Sequence, residues 1–376
     1  MKNMENRTRL GCVVHLVYPF GARISTPDAI GRKLGEELQK RGFIVRHYNY
    51  DERRAITPHP GDILIGHPHP DPSTIFRLSL PNPAWRRKLI LAPFAPDPRQ
   101  VAFLDTVVPN VDRYLAITGN YWYREVAQTI FAHWQPKMIH MDLAVDREDF
   151  PAIKHSFHPP GERRFLYIGH TAWYKNTAYL AQLAAKMPHW HWGWMGGGVP
   201  IKNFRPLGSQ DFRSQEARQS VSEYDFLITV GRFDANPTTL LEAMAWGLIP
   251  VCTPQSGYDR QPGMINIPLD APDEAIAMLQ QLQFADDLAL RSIQQRNWAM
   301  LDQHFNWQRF GAQVEAAIDA DDSPSIGNET LHTRIQILYA VLQSPYSPFS
   351  LRTLLRRWLD HNPTMAGYYR RLRGFQ

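Results

Sequence analysis

The feature that most restricts this chain is an alternation of short apolar runs with amphipathic stretches, which stops near the middle and then starts again. Apolar runs at residues 10–18, 43–48, 62–66, 89–92, 114–118 and 137–141 are short and lack the in/out alternation of half-solvated strands. They read as strands buried on both faces. Helical patterns separate them. One covers 28–41, with Ile30, Leu34 and Leu38 on one face and Gly42 as its stop, and another covers 121–133. Residues 151–164, rich in Pro, His and charge, read as a linker. The pattern restarts with strands at 165–168, 190–195, 226–230 and 249–252 and helices at 177–187, 214–222, 240–246, 273–283 and 286–303. Strands alternating with helices demand a parallel sheet covered on both faces. A length of 376 residues exceeds the ~250–300 that one core can serve. The expected architecture is therefore two doubly wound α/β units, 1–155 and 160–315, whose strand carboxyl ends face a common cleft. A helical extension, 316–376, follows a loop at 321–328.

Composition narrows the setting. Cys12 and Cys252 lie in apolar runs far apart, which fits buried reduced thiols and not a disulfide framework. The polar start MKNMENRTRL does not resemble a signal peptide, and the longest uncharged stretches, 10–22 and 335–351, are broken by His, Gln, Ser and Pro. A cytoplasmic protein is expected. The net charge of +5 is concentrated in residues 331–376, which hold seven arginines against one acid, Asp360. Within that tail Phe349, Leu351, Leu354, Leu355, Trp358 and Leu359 alternate with Arg352, Arg356 and Arg357, the pattern of a basic amphipathic helix. The expectation is a peripheral contact with an anionic membrane surface through 345–376, or packing of the extension back on the N-terminal unit. Because the rest of the chain is near neutral, nucleic acid is a poor partner.

Four segments carry a family resemblance: FLYIGHTAWYKN at 165–176, YDFLITVGRFDANPTTLLEAMAWGLIPV at 224–251, HFNWQRF at 304–310 and MDLAVDREDF at 141–150. Together they resemble GT-B glycosyltransferases, most closely family 4 of the retaining enzymes. The resemblance implies two Rossmann-like domains and transfer of a sugar from a UDP-sugar or GDP-sugar to a glycan or lipid-linked acceptor hydroxyl, with retention and without a metal or other cofactor. It places Gly169, Lys175, Asp234 and Glu242 at the donor. Asp234 stands where the family usually has Glu against the transferred sugar, and His170 where it has an arginine on the diphosphate. Glu242 matches the residue that holds the ribose hydroxyls. Gly21, in the loop after the first strand, falls where the family sets backbone against diphosphate and acceptor. The catalytic histidine of the family has no counterpart in LILAPFAPD at 89–97; His67 and His69 in GHPHP are the acceptor-side substitutes.

The same residues have a physical reading. Lys175 precedes Asn176, a residue suited to N-capping, so its cation sits at a helix start and opposes the dipole unless an anion compensates. A diphosphate would do so, helped by the amides of Thr239 and Leu240. Thr239-Leu240-Leu241-Glu242 also spells a capping box, in which Glu242 would serve the helix and no ligand. Gly197, in Gly196-Gly197-Gly198 after a strand, would let a nucleotide approach backbone. Lys175, His170 and Asp234 are the expected catalytic set. The alternative is a non-catalytic GT-B subunit or glycan-binding scaffold.

Overall fold

The computed structural model describes residues 13–19 and 26–344; Cys12, Gly21 and the basic segment 345–376 lie outside the described residues. The first sheet contains β1 (Val13–Val17), β2 (Ile44–Tyr48), β3 (Ile63–Gly66), β4 (Arg87–Pro93), β5 (Arg113–Ile117) and β6 (Met138–Met141). All pairs are parallel, in the order β2-β1-β3-β4-β5-β6. The second sheet contains β7 (Arg164–Ile168), β8 (His191–Met195), β9 (Arg205–Pro206), β10 (Phe226–Thr229), β11 (Ile249–Cys252) and β12 (Ile265–Asn266). It too is wholly parallel, ordered β12-β11-β10-β7-β8-β9. The edge strands β9 and β12, two residues each, are too short to leave a sequence pattern.

Each order contains one point where the winding reverses: between β1 and β3 in the first sheet, and between β7 and β10 in the second. Open α/β sheets bind ligands outside the carboxyl ends of the strands at such points. In the first sheet, Val17 pairs with Gly66, so Tyr18 and His67 leave the two strands at one level. In the second, Gly169–Lys175 and Val230–Asn236 leave β7 and β10 together.

The strands are apolar throughout because helices cover both faces. Val14, Leu16, Ile63, Leu64, Ile65 and Leu89–Leu91 are fully buried in the first sheet, and Phe165, Leu166, Phe226 and Ile228 are in the second or nearly so. One apolar cluster runs through both units, linking Leu16, Leu115, Phe150, Trp246, Phe305 and Phe310. Residues 151–163 form an ordered strap. Backbone amides of Ile153 and Lys154 bond to the Trp246 carbonyl, and the buried Asp225 receives Lys154 Nζ at 2.9 Å and His158 Nδ1 at 2.8 Å.

Two features differ from the sequence expectation. The stretch 121–133 is a short helix, Gly119–Glu125, followed by 3-10 turns Val126–Gln128 and Ala132–Lys137. Phe131 and Trp134, beside the break, are both fully buried in the core. Helix Trp307–Asp319, read with the second unit, packs on helix Thr26–Lys40 of the first, with Arg41 Nη1 2.7 Å from Glu315. The chain therefore crosses back before 316. Helix Leu331–Gln343 continues along the first unit against residues 98–106, and its Ser344 hydroxyl donates to the Arg99 carbonyl at 2.7 Å. Among the described residues no helix is long and apolar enough to cross a membrane.

Candidate functional site

Lys175 ends a 3-10 turn, Trp173–Lys175, directly after β7. Its ammonium donates to Asp234 Oδ2 at 2.6 Å, with the two side chains 16% and 8% exposed. Asp234 is fixed in turn: its amide donates to the Gln255 carbonyl at 3.2 Å, and its carbonyl accepts from Trp122 Nε1 of the first unit at 3.3 Å. This ion pair corrects the idea that Lys175 lacks an anion. A ligand phosphate must share the lysine with Asp234.

Asn176 also differs from expectation. It adopts a left-handed conformation, φ 54° and ψ 41°, and its side chain makes no capping bond. Its carbonyl receives the Tyr179 amide instead, and the backbone reverses there between the 3-10 turn and helix Thr177–Lys186. Asn tolerates this region better than most side chains.

The capping box at Thr239 is absent. Helix Thr238–Trp246 starts one residue earlier, its N-cap position is Pro237, and Glu242 lies beyond the first turn. The Glu242 carboxyl, partly buried, accepts from the Thr238 side chain; burial outweighs that bond and pushes its pKa up to about 7. Glu242 lines a cavity between the units, with Ile30 and Lys33 on one wall and Val145, Phe150 and Trp307 on others. Asp234 and Glu242 are both near enough to the buried Tyr258 hydroxyl to join its burial in raising that phenol. The start of helix Thr238–Trp246, with Thr239 half-buried and Leu240 fully buried, lies between the two carboxylates in sequence.

His170 is exposed. Its Nδ1 accepts from the Ala172 amide at 3.2 Å, leaving Nε2 to share a proton with the Tyr174 hydroxyl at 3.1 Å. Desolvation and the Lys175 charge lower its pKa, with Asp234 opposing. Gly169 has φ 152°, and a Cβ there would meet the Tyr167 hydroxyl at 2.8 Å. Gly196 and Gly198 are required by packing: added Cβ atoms would reach the Gly169 carbonyl oxygen and Thr171 Oγ1 at 2.1 Å. Gly197 is under no such constraint, since a Cβ there meets nothing within 4 Å.

On the first unit, His67 and His69 follow β3 at its switch point. His67 stands edge-on between Tyr18 and Tyr50, both centroids at 5.8 Å, and its Nδ1 is buried without a partner. Burial, then the neighbouring His69, lowers its pKa to about 4, so it is a neutral imidazole. His69 Nδ1 accepts from the Asp71 amide at 3.0 Å, and burial lowers its pKa as well.

The sequence reading missed the aromatic and glycine contacts that join the units beside Lys175. Trp122 stacks on Phe233 at 5.8 Å, Phe233 meets Trp173 at 5.8 Å, and the Arg99 guanidinium lies 3.7 Å over the Trp173 ring. Asn236, with φ 56°, accepts from the Leu143 amide at 2.7 Å and donates to Asp142 at 3.3 Å. Gly119, with φ 66°, would place a Cβ 2.2 Å from the Gly257 carbonyl oxygen. A tryptophan two residues before Lys175 was the available signal, but pairing across units is not written in local sequence.

No family model matches the sequence, and no curated protein is significantly similar to it. Solved structures are similar. Sucrose-phosphate synthase from Thermosynechococcus elongatus superposes with a TM-score of 0.59 at 14% identity, over 81% of this chain and 97% of that one. An alpha-glucosyltransferase in complex with UDP and a 13-mer DNA gives 0.57 at 13% identity, over 82% and 99%. TarM gives 0.52 at 10% identity, over 70% of this chain and 56% of that one. These likenesses and the two sheets show the GT-B fold.

Proposed function

We propose that the protein is a glycosyltransferase that takes a nucleoside-diphosphate sugar in the second domain and passes the sugar to an acceptor hydroxyl on the first. The observation that carries the reading is the Lys175–Asp234 pair at the switch point of the second sheet, facing the first domain through Trp122. A lysine there can neutralise the charge that develops on a departing diphosphate, and a fixed carboxylate can accept hydroxyl bonds from the sugar. The first amides of helix Thr238–Trp246 supply further donors to phosphate, and Glu242 accepts ribose hydroxyls. His170 and its Tyr174 partner would act as hydrogen-bond donors to the diphosphate, an anion that favours the protonated imidazole. UDP-sugars are the first donors to test, because the similar alpha-glucosyltransferase was solved with UDP. Retention, a glycan or lipid-linked acceptor reached through His67 and His69, and membrane contact through 345–376 belong to the same reading.

The decisive experiment combines binding and turnover. UDP at 100-fold its dissociation constant should add about 2.7 kcal/mol to stability if it binds only the folded protein. UDP should raise the melting temperature, Lys175→Ala should abolish most of that rise, and a UDP-sugar panel should show UDP release from one donor. If neither UDP, GDP nor their common sugar conjugates shifts melting at millimolar concentration, the donor site is wrongly assigned.

A further inference from the structure

A second group of chemically active side chains lies away from the cleft and takes no part in the proposed reaction. Asp105 sits in the 3-10 turn Ala102–Thr106, His133 in the turn Ala132–Lys137, and Glu329 just ahead of helix Leu331–Gln343. One nitrogen of His133 and one oxygen of each carboxylate lie within 4.8 Å of one another. The cluster is largely buried, the side chains of His133 and Glu329 being 3% and 10% exposed. His133 Nε2 is 2.8 Å from Asp105 Oδ1, which also accepts from Trp134 Nε1 at 2.9 Å. Arg334 Nε donates to Glu329 Oε2 at 3.1 Å.

Those bonds leave His133 Nδ1 and Glu329 Oε1 buried with no hydrogen-bond partner. Two members of the cluster thus each hold a buried polar atom that the protein's own hydrogen bonds do not use. Leaving both unpaired in the interior is costly. A cation among the three side chains would engage the cluster in place of the His133–Asp105 hydrogen bond.

We propose that Asp105, His133 and Glu329 bind a divalent transition cation of the Zn2+ type, which fastens the returning segment 320–330 to the first domain. An imidazole nitrogen with carboxylate oxygens suits zinc and its first-row neighbours better than magnesium or calcium. Three protein donors leave a coordination position for water. The segment also has reason to need a fastener. Residues 321–330 form no helix or strand, and Gly327 touches the first domain through an amide bond of 2.7 Å to the His133 carbonyl. The helix beyond buries only Ile337 and Ala340, while Leu331, Ile335, Leu338, Tyr339 and Leu342 are exposed. That helix therefore adds little apolar burial to the contacts of the strap itself, where Arg113 pairs with Asp322 and Ile326 packs on the first unit's core.

The test uses the full chain, stripped with chelator and titrated with Co2+ while its visible d–d absorption is followed, alongside thermal melts with and without Zn2+. One equivalent of Co2+ should saturate the signal, and Zn2+ should raise the melting temperature. Glu329→Gln should weaken binding at least about tenfold. Because Glu329 lies on the strap, this variant leaves the first domain's core intact, as far-ultraviolet circular dichroism will check; His133→Ala should abolish binding. Absence of a saturable signal would overturn the proposal, with water left as the partner of the orphaned atoms. A stoichiometric signal unchanged in Glu329→Gln would also overturn it, placing the metal elsewhere, first at His67 and His69.

Discussion

Glu242 offers the sharpest quantitative test, because its carboxyl is more acidic in the unfolded chain than in the fold. The gap between about 7 and the ordinary 4.5, at ~1.36 kcal/mol per pH unit, amounts to roughly 3 kcal/mol. The sign follows from which form the fold prefers. Burial favours the protonated acid, so the stability tied to this group is fully present below about 4.5, declines as pH rises, and is lost above about 7. Glu242→Gln preserves the shape and an oxygen for Thr238 but has no charge to bury. The variant should therefore match the wild type near pH 4.5 and exceed it at pH 8 by up to roughly 3 kcal/mol, several degrees in melting temperature. Groups that titrate in both proteins cancel in the difference, which matters in a two-domain chain where absolute two-state values are unsafe. Nucleotide adds a second readout. Ribose hydroxyls donating to Glu242 would favour the carboxylate, so binding near pH 6 should release up to about one proton. Calorimetry in buffers of different ionisation enthalpy measures that release, and Glu242→Gln should abolish it while weakening binding several-fold. A variant no more stable than wild type at pH 8, or a difference that does not shrink toward pH 4.5, would refute the burial argument. Normal nucleotide affinity in the variant would refute the ribose role separately.

Other outcomes follow from the geometry. Gly119→Ala should cost more than about 2 kcal/mol, since φ 66° is strained for alanine and the new Cβ strikes the Gly257 carbonyl across the interdomain contact; thermal melts check this. Gly197→Ala should leave melting within about 0.5 kcal/mol, because its Cβ enters open space, while lowering UDP affinity if a nucleotide lies there. Trp173→Ala removes the seat of the Arg99 guanidinium, and sugar transfer should fall by more than UDP affinity does if this contact sets domain closure. Deleting 345–376 should abolish co-sedimentation with anionic liposomes, and equal binding by both forms would end the membrane reading.

The doubly wound architecture and the position of its cleft were determined by local sequence, because strand and helix periodicities are properties of neighbours in the chain. Short apolar runs between amphipathic stretches admit a parallel sheet and little else, and the restart after residue 164 requires a second one. Lys175 and Asp234 could likewise be singled out, through the resemblance that their segments carry. Their contact could not be, since it joins loops 59 residues apart that only adjacent β7 and β10 bring together. The same limit explains the capping box that did not form: where helix Thr238–Trp246 begins depends on Asn236 being held by Leu143 and Asp142 of the other domain, and no local rule contains that information. The burial that raises Glu242, the neutral state of His67, and the meeting of Asp105, His133 and Glu329 are decided at the same level. Each depends on the dielectric surroundings and on partners supplied by segments far away in the chain, and those exist only once the two sheets have packed.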